Sequence, residues 1–315
     1  MALKLPDRWI WDSWYVWDGD TCHAFYLCAS RGLVDPERRH RYTNIGHAIS
    51  KDLENWQVLP DALSPSDEPA FDSWTTWTGS TVLGDDGVWR MFYTGTSRET
   101  EGRIQRVGVA KSNDLSNWSK DTAFVLEADS RWYETLGQSA WPDEAWRDPW
   151  VYKSKEDGVW HMLVTARAKD GDLNQRGVVG HATSSDLESW EVQEPLSKPG
   201  QGFGQLEVLQ YVEVDGVPLV VFCCGVNQLS DDIRNAHGDI TATFSVPVEA
   251  GVPWEFSKAR PFESLEIYAG RLIQRPTGEW VVLGFINERD GEFVGEICSP
   301  IAVSANAEIG LIRIT

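Results

Sequence analysis

Three short segments of this sequence carry an acid in a setting where it could do chemistry: Trp11-Asp12-Ser13-Trp14, Arg147-Asp148-Pro149-Trp150 and Leu206-Glu207-Val208. Three carboxylates in one cleft repel each other and raise each other's pKa, so such a set is costly unless it has a task. Cleavage of a glycosidic bond has that requirement. One carboxylate acts as nucleophile or base, and a protonated carboxyl delivers a proton to the leaving oxygen. A third can stabilise positive charge on the sugar ring or anchor its hydroxyls. Arg147, beside Asp148, is expected to keep the first two carboxylates ionised while Glu207 carries the proton. All of this requires elements far apart in the chain to bring the three acids together.

An internal repeat supplies those elements. IGHAISKDLENWQ from Ile45, VGVAKSNDLSNWS from Val107 and VGHATSSDLESWE from Val179 align without gaps. Their shared pattern is apolar-Gly-x-Ala-x-Ser-x-Asp-Leu-x-x-Trp. The first half alternates as a strand does, and Ser-x-Asp-Leu reads as a turn in which the carboxylate holds backbone amides. Asp52, Asp114 and Asp186 are therefore turn residues. Trp56, Trp118 and Trp190 are expected to pack between neighbouring repeats.

An apolar strand precedes each copy, at His23, Trp89 and Trp160, and two more such strands begin at Pro218 and Glu279. Ahead of four of them lies a polar hairpin: GDDG at Gly84, KEDG at Lys155, VDG at Val214 and PTG at Pro276. A first strand comes before each second strand. The steps between Asp12, Thr78, Asp148, Glu207 and Ala269, one from each first strand, are 66, 70, 59 and 62 residues. Five units of that length, each of about four strands, predict an all-β chain folded as a single five-bladed β-propeller. In such a fold the innermost strand of every blade borders the central channel, so Asp12, Asp148 and Glu207 converge on one funnel from blades one, three and four. No linker or composition shift divides the chain. The reading is one domain over 1–315.

Composition narrows the partners. Of 315 residues 17 are Trp and 3 are Met, and Asp+Glu at 48 against Lys+Arg at 28 gives a formal net charge of −20. That field repels nucleic acid and anionic membrane surfaces and leaves a neutral ligand such as a sugar untouched. Cys22, Cys28, Cys223, Cys224 and Cys298 form no CxxC pair and leave one over, so they read as small buried apolar residues. The first residues lack the apolar core of a signal peptide, and a cytoplasmic setting is the expectation.

Trp-Asp-Ser-Trp at 11–14, Trp-Thr-Gly-Ser at 77–80, Arg-Asp-Pro at 147–149 and a later Glu in a first strand resemble glycoside hydrolase families 68 and 32. These are fructosidases and fructosyltransferases built on a five-bladed propeller, and the resemblance covers essentially the whole chain. It implies that Asp12 is the nucleophile, Asp148 the residue that holds fructosyl hydroxyls in the transition state, and Glu207 the acid/base. It further implies that Trp11, Trp77 and Arg147 contact the fructosyl ring and that Thr78 hydrogen-bonds the nucleophile. The implied activity is a retaining β-fructofuranosidase acting on sucrose or short fructooligosaccharides, with fructosyl transfer as a companion reaction. Trp-Asp-Ser-Trp is closer to family 68, whereas family 32 usually shows Asn-Asp-Pro at the nucleophile. No appended C-terminal β-sandwich of the family 32 kind is expected.

The remaining features have plainer readings. The segment 131–146, RWYETLGQSAWPDEAW, is either a leaving-group subsite or a packed connection. Arg167 and Asn227 end second strands near the funnel mouth and read as structural. Tyr268 is placed at the pocket floor. The six histidines show no metal-binding spacing, and Asp170-Gly-Asp172 and Asp231-Asp232 match no cation loop, so no metal and no cofactor are assigned. Two alternatives stand beside the fructosidase reading. One is an inverting arabinofuranosidase or xylosidase of the related family 43; the other is a sugar-binding propeller without catalysis.

Overall fold

The computed structural model describes residues 2–249, 251–264 and 266–314. Twenty-one strands form five sheets. Blade one is built from Arg8–Asp18, Thr21–Ser30, Asn44–Ser50 and Gln57–Leu63, hydrogen-bonded in that order. Blades two, three and four repeat the order, with inner strands Thr75–Leu83, Trp146–Lys153 and Glu207–Val214. Blade five begins with Ile267–Gln274 and carries one extra strand, Glu292–Ile297, paired to its second strand. Each inner strand contacts the next, and that of blade five contacts that of blade one, closing the ring. This is the five-bladed β-propeller that the repeat predicted.

Neighbouring blades cover both faces of each second strand, so these strands are buried almost continuously rather than on alternate residues. All eight residues of Trp89–Thr96 are buried. The repeat motif has a matching cause. A Cβ on Gly46 would lie 2.3 Å from the Tyr26 ring, and one on Gly108 would lie 2.3 Å from Phe71, so the third strand needs glycine there. The turn aspartates act as expected: Asp52 accepts from the amides of Glu54 and Asn55, Asp114 from Ser116 and Asn117, and Asp186 from Glu188 and Ser189. The tryptophans then reach backward by one blade. Trp118 packs edge-on to Phe25 and Trp190 edge-on to Phe92, while Trp56 joins the cluster holding Val281 and Leu283 of blade five.

Polar staples join the blades inside this apolar packing. Trp14 Nε1 donates to Thr81 Oγ1, the Val151 amide to Ser80 Oγ, and Trp150 Nε1 to the Tyr211 carbonyl. Gln210 holds both the carbonyl and the amide of Leu272. Near the start of the chain Leu3 pairs with Ile297 of blade five, tying the first and last blades together. All five cysteines are buried and free. No helix among the described residues is long and apolar enough to cross a membrane. The one α-helix among the described residues, Asp231–His237, is capped by Ser230, so Asp231 and Asp232 form its first turn. Asp172 caps the short 3-10 helix Leu173–Gln175 in the same way.

Candidate active site

Every inner strand breaks register with its neighbour at the same level. The shift falls between Trp11 and Ser13, between Trp77 and Gly79, opposite Leu163 and Thr165, between Glu207 and Gln210, and between Tyr268 and Arg271. In four of the five the bulge residue has left-handed φ without being glycine: Asp12 at 35°, Asp148 at 58°, Val208 at 53° and Ala269 at 49°. Such backbone is uncommon for these residue types and costs of order 1–3 kcal/mol each. Bulges re-aim side chains, and these four ring the channel at one height.

That register corrects one sequence expectation. Spacing aligns Glu207 with Asp12 and Asp148, yet the bulge position of blade four belongs to Val208. Glu207 stands one residue earlier, in the row of Trp11, Trp77, Arg147 and Tyr268. The carboxylates therefore occupy two tiers, with Asp12, Thr78 and Asp148 in one and Arg147, Glu207 and Tyr268 in the other. A one-residue offset is invisible to spacing because a bulge adds a residue to one strand without changing the repeat.

In the bulge tier Thr78 Oγ1 donates to Asp12 Oδ2 at 2.6 Å. Asp148 is buried; its Oδ2 accepts from Thr165 Oγ1 at 2.8 Å and from the Val208 amide at 3.3 Å. Burial pushes the Asp12 carboxyl up to about 7, helped by the charge of Asp148 and then of Glu207, while the Thr78 hydrogen bond and the Arg271 charge act against it. Burial likewise raises Asp148, against the opposing charge of Arg147.

In the other tier Arg147 is the hub. Its Nη2 meets Glu207 Oε1 and Gln205 Oε1, both at 2.7 Å, and its Nη1 donates to Gln105 Oε1 at 3.1 Å. Its Nε lies 3.4 Å from Asp148 Oδ2. Arg147 therefore bridges Asp148 and Glu207, whereas its place in the sequence predicts that it serves Asp12 and Asp148. Tyr268 is not merely a floor: its hydroxyl donates to Glu207 Oε2 at 2.5 Å. Gln105, Gln205 and Thr165 carried no sequence signal, since each is a lone polar residue in a strand or loop.

The aromatic residues pack around His40. Trp77 Nε1 donates to the His40 carbonyl, Trp11 packs edge-on to the His40 ring, and Arg39 lies over Trp11. Burial and the charge of Arg39 push the His40 imidazole down to about 4. Segment 131–146 is anchored at its two ends: Tyr133, Glu134 and Trp146 are buried, and Glu134 pairs with Arg167 and Arg176. Its Trp141 lies on the Arg167 guanidinium and lines a 390 Å³ cavity shared with Asn227 and Gln228. Gln228 in turn donates to Gln205 Oε1, so that cavity adjoins the Arg147 hub. Among the described residues no group of three or more His, Cys, Asp and Glu side chains is arranged to hold a metal.

A family model described as glycosyl hydrolases family 32 N-terminal domain matches residues 14–295. Asp148 and Glu207 lie inside the match, and Asp12 lies just ahead of it. The β-fructofuranosidase, insoluble isoenzyme CWINV2, of Arabidopsis thaliana is 33% identical over 179 residues, covering 53% of this chain and 26% of that protein. A sucrose-6-phosphate hydrolase of Bacillus subtilis is 29% identical over 168 residues, covering 53% of this chain and 30% of that protein. The chain's match thus spans less than a third of the length of these relatives. Among solved structures, the inulosucrase from Halalkalicoccus jeotgali bound to kestose shares the fold, with a TM-score of 0.75 at 22% identity over 98% of this chain and 87% of that one.

Proposed function

The chain belongs to the glycosyl hydrolases of family 32, whose N-terminal domain it matches over residues 14–295, and on that premise we propose that it cleaves β-fructofuranosides by a retaining mechanism. The observation that carries the proposal is the convergence of Asp12, Asp148 and Glu207 on one channel, with Arg147 bridging the last two. The relatives named above are a β-fructofuranosidase and a sucrose-6-phosphate hydrolase, which supports sucrose or a short fructooligosaccharide as substrate. Family membership argues against the inverting family 43 alternative.

In the proposed reaction Thr78 holds Asp12 Oδ2, leaving Oδ1 to attack the anomeric carbon of the fructosyl unit. Glu207 gives its proton to the leaving oxygen as the glycosidic bond breaks, and a fructosyl ester forms on Asp12. Glu207, now a carboxylate, takes a proton from water, whose oxygen displaces Asp12 and frees fructose. A sugar hydroxyl in place of water gives fructosyl transfer. Asp148 accepts hydrogen bonds from fructosyl hydroxyls, and Trp11, Trp77 and Arg147 line the ring. The cavity beside Trp141 receives the leaving group. The five free, buried thiols suit a reducing, cytoplasmic setting.

A product profile on sucrose, inulin, levan and aryl arabinofuranosides tests the substrate class. Proton NMR in the first minutes tests the stereochemistry, with β-fructofuranose expected before mutarotation. Release of arabinose alone, or of the opposite fructose anomer first, would sink the proposal.

A further inference from the structure

A large cavity lies at the far end of the inner strands from the three acids. Tyr152 and Tyr211 stand four residues beyond Asp148 and Glu207 on the same strands, about 13 Å further along. Between the two levels sits Arg271 of blade five, which is 1% exposed. It donates to the Leu209 carbonyl of blade four and lies 4.9 Å from the ring centre of Trp150 in blade three. Beyond it the cavity measures 1090 Å³ and is walled by blades three, four and five. A drug-sized ligand occupies roughly 300–1,000 Å³, so this space holds a ligand of several ring units.

One wall is a row of rings. Tyr152 packs on His161 at 5.4 Å, Tyr211 on Tyr152 at 4.7 Å and Trp254 on Tyr211 at 5.8 Å, with interplanar angles of 21°, 30° and 8°. The rings lay their faces on one another and turn edges and two phenolic hydroxyls to the cavity. Neither hydroxyl has a hydrogen-bond partner among the described residues. Trp280 of blade five also lines the space, half-buried and packed on no other aromatic ring among those residues. Four acids complete the lining: Glu156, Asp157, Glu213 and Asp215. Its two lysines are engaged, Lys153 with Asp85 at 2.6 Å and Lys155 with Glu213 at 3.7 Å.

This lining discriminates among ligand classes. Four acids beside two engaged lysines repel an anion. A cationic group seeks open aromatic faces, and in the ring row neighbouring rings cover them. A wholly apolar ligand would take both phenolic hydroxyls out of water without giving them a partner. A sugar chain suits both parts of the wall. Its C–H faces pack on an indole, and its hydroxyls donate to carboxylates and pair with phenols.

We propose that this cavity is a second binding site, for a neutral oligosaccharide, separate from the three acids. None of Asp12, Asp148 and Glu207 lines it, so the proposal does not rest on reading them as catalytic.

The experiment labels the full Asp12→Asn chain with fluorotryptophan, so that no fructoside is consumed, and assigns the Trp280 signal with Trp280→Phe. Nystose, maltotetraose and cellotetraose are titrated in turn, with tetramethylammonium and pyrophosphate as charged probes. At least one sugar should shift the Trp280 fluorine signal saturably, and neither charged probe should. The double variant Tyr152→Phe, Tyr211→Phe keeps the ring row and loses only the hydroxyls. It should weaken that sugar about 10-fold at this signal. In the chain with Asp12 intact, the same pair of changes should leave kcat and KM for sucrose in place. A Trp280 signal that no sugar moves, or that a charged probe moves instead, overturns the proposal. So does a midpoint indifferent to the two hydroxyls. A wild type that cleaves no fructoside, with the Trp280 shift intact, refutes the fructosidase reading and leaves this site standing.

Discussion

Tyr268 and Glu207 come from the inner strands of adjacent blades, and the Tyr268 hydroxyl donates to Glu207 Oε2 at 2.5 Å. Arg147, from the blade on the other side, holds Oε1 at 2.7 Å. The carboxyl is thus fixed in orientation from both neighbours, with the bridging contacts made by residues about 60 positions away in sequence. Burial and the charge of Glu207 hold Tyr268 well above the ordinary range, so it remains a donor throughout the pH range of interest. An acid/base that must first give and then take a proton at one place benefits from such fixing.

Glu207→Gln preserves the acceptor for Tyr268 but cannot transfer a proton. Sucrose cleavage should fall by about 10²–10⁴-fold. A fructoside with a good aryl leaving group should lose far less in its first step, and added azide should yield a β-fructosyl azide. Asp12→Asn should show neither rescue, because the covalent intermediate cannot form. Steady-state rates and product chromatography distinguish these outcomes. A Glu207→Gln variant with near wild-type rate on sucrose would move the acid elsewhere.

Asp12 should weaken the fold when ionised. Its carboxyl is raised from 3.8 to about 7, mainly by burial and then by Asp148, so the folded chain holds the proton more tightly than the unfolded one. Its favourable contribution is full below about pH 4 and is lost as pH rises through about 7. Asp12→Asn should therefore raise the melting temperature at pH 8 by about 2–5 °C. The difference should close on going down to pH 4. A gain of equal size at both pH values would contradict this account.

Two stacked imidazole pairs occupy equivalent places in blades one and three. His23 Nδ1 lies 2.9 Å from His47 Nε2, and His161 Nδ1 lies 2.9 Å from His181 Nε2. Burial, and then the neighbouring imidazole, push His47 and His181 down to about 4. With folded pKa values below the usual 6.5, their contribution is full above that value and is lost as pH falls through about 4. The double variant His47→Gln, His181→Gln should lose less stability between pH 7 and pH 4 than the wild type. Urea midpoints across that range provide the measurement.

Arg167 shows the cost of removing one partner from a buried charge pair. Its Nε meets Glu134 Oε2 at 2.7 Å, its two other nitrogens hold the carbonyls of Gly204 and Leu173, and Trp141 covers its face. Arg167→Ala leaves Glu134 buried with only Arg176 as partner, and should cost about 3–5 kcal/mol in urea unfolding. A change under about 1 kcal/mol would show that the segment 131–146 is held by other contacts.

Much of this protein was legible as local code. The three Ser-x-Asp-Leu turns and the polar hairpins are all decided within a dozen residues of chain. The five-bladed propeller followed from their repetition. The acids at 12, 148 and 207 were legible too, because their strands and order follow from the same count.

What joins those acids was not legible. The tier on which Glu207 stands is set by a bulge, and a bulge is defined only by the strand it is paired with. The placement of Tyr268 on Glu207, the reach of Arg271 across the channel and the two imidazole pairs all join residues from different strands. Sequence spacing fixes which strand carries a residue. Where a side chain ends depends on ring closure, which brings together residues that share no local pattern, and only the folded channel supplies that.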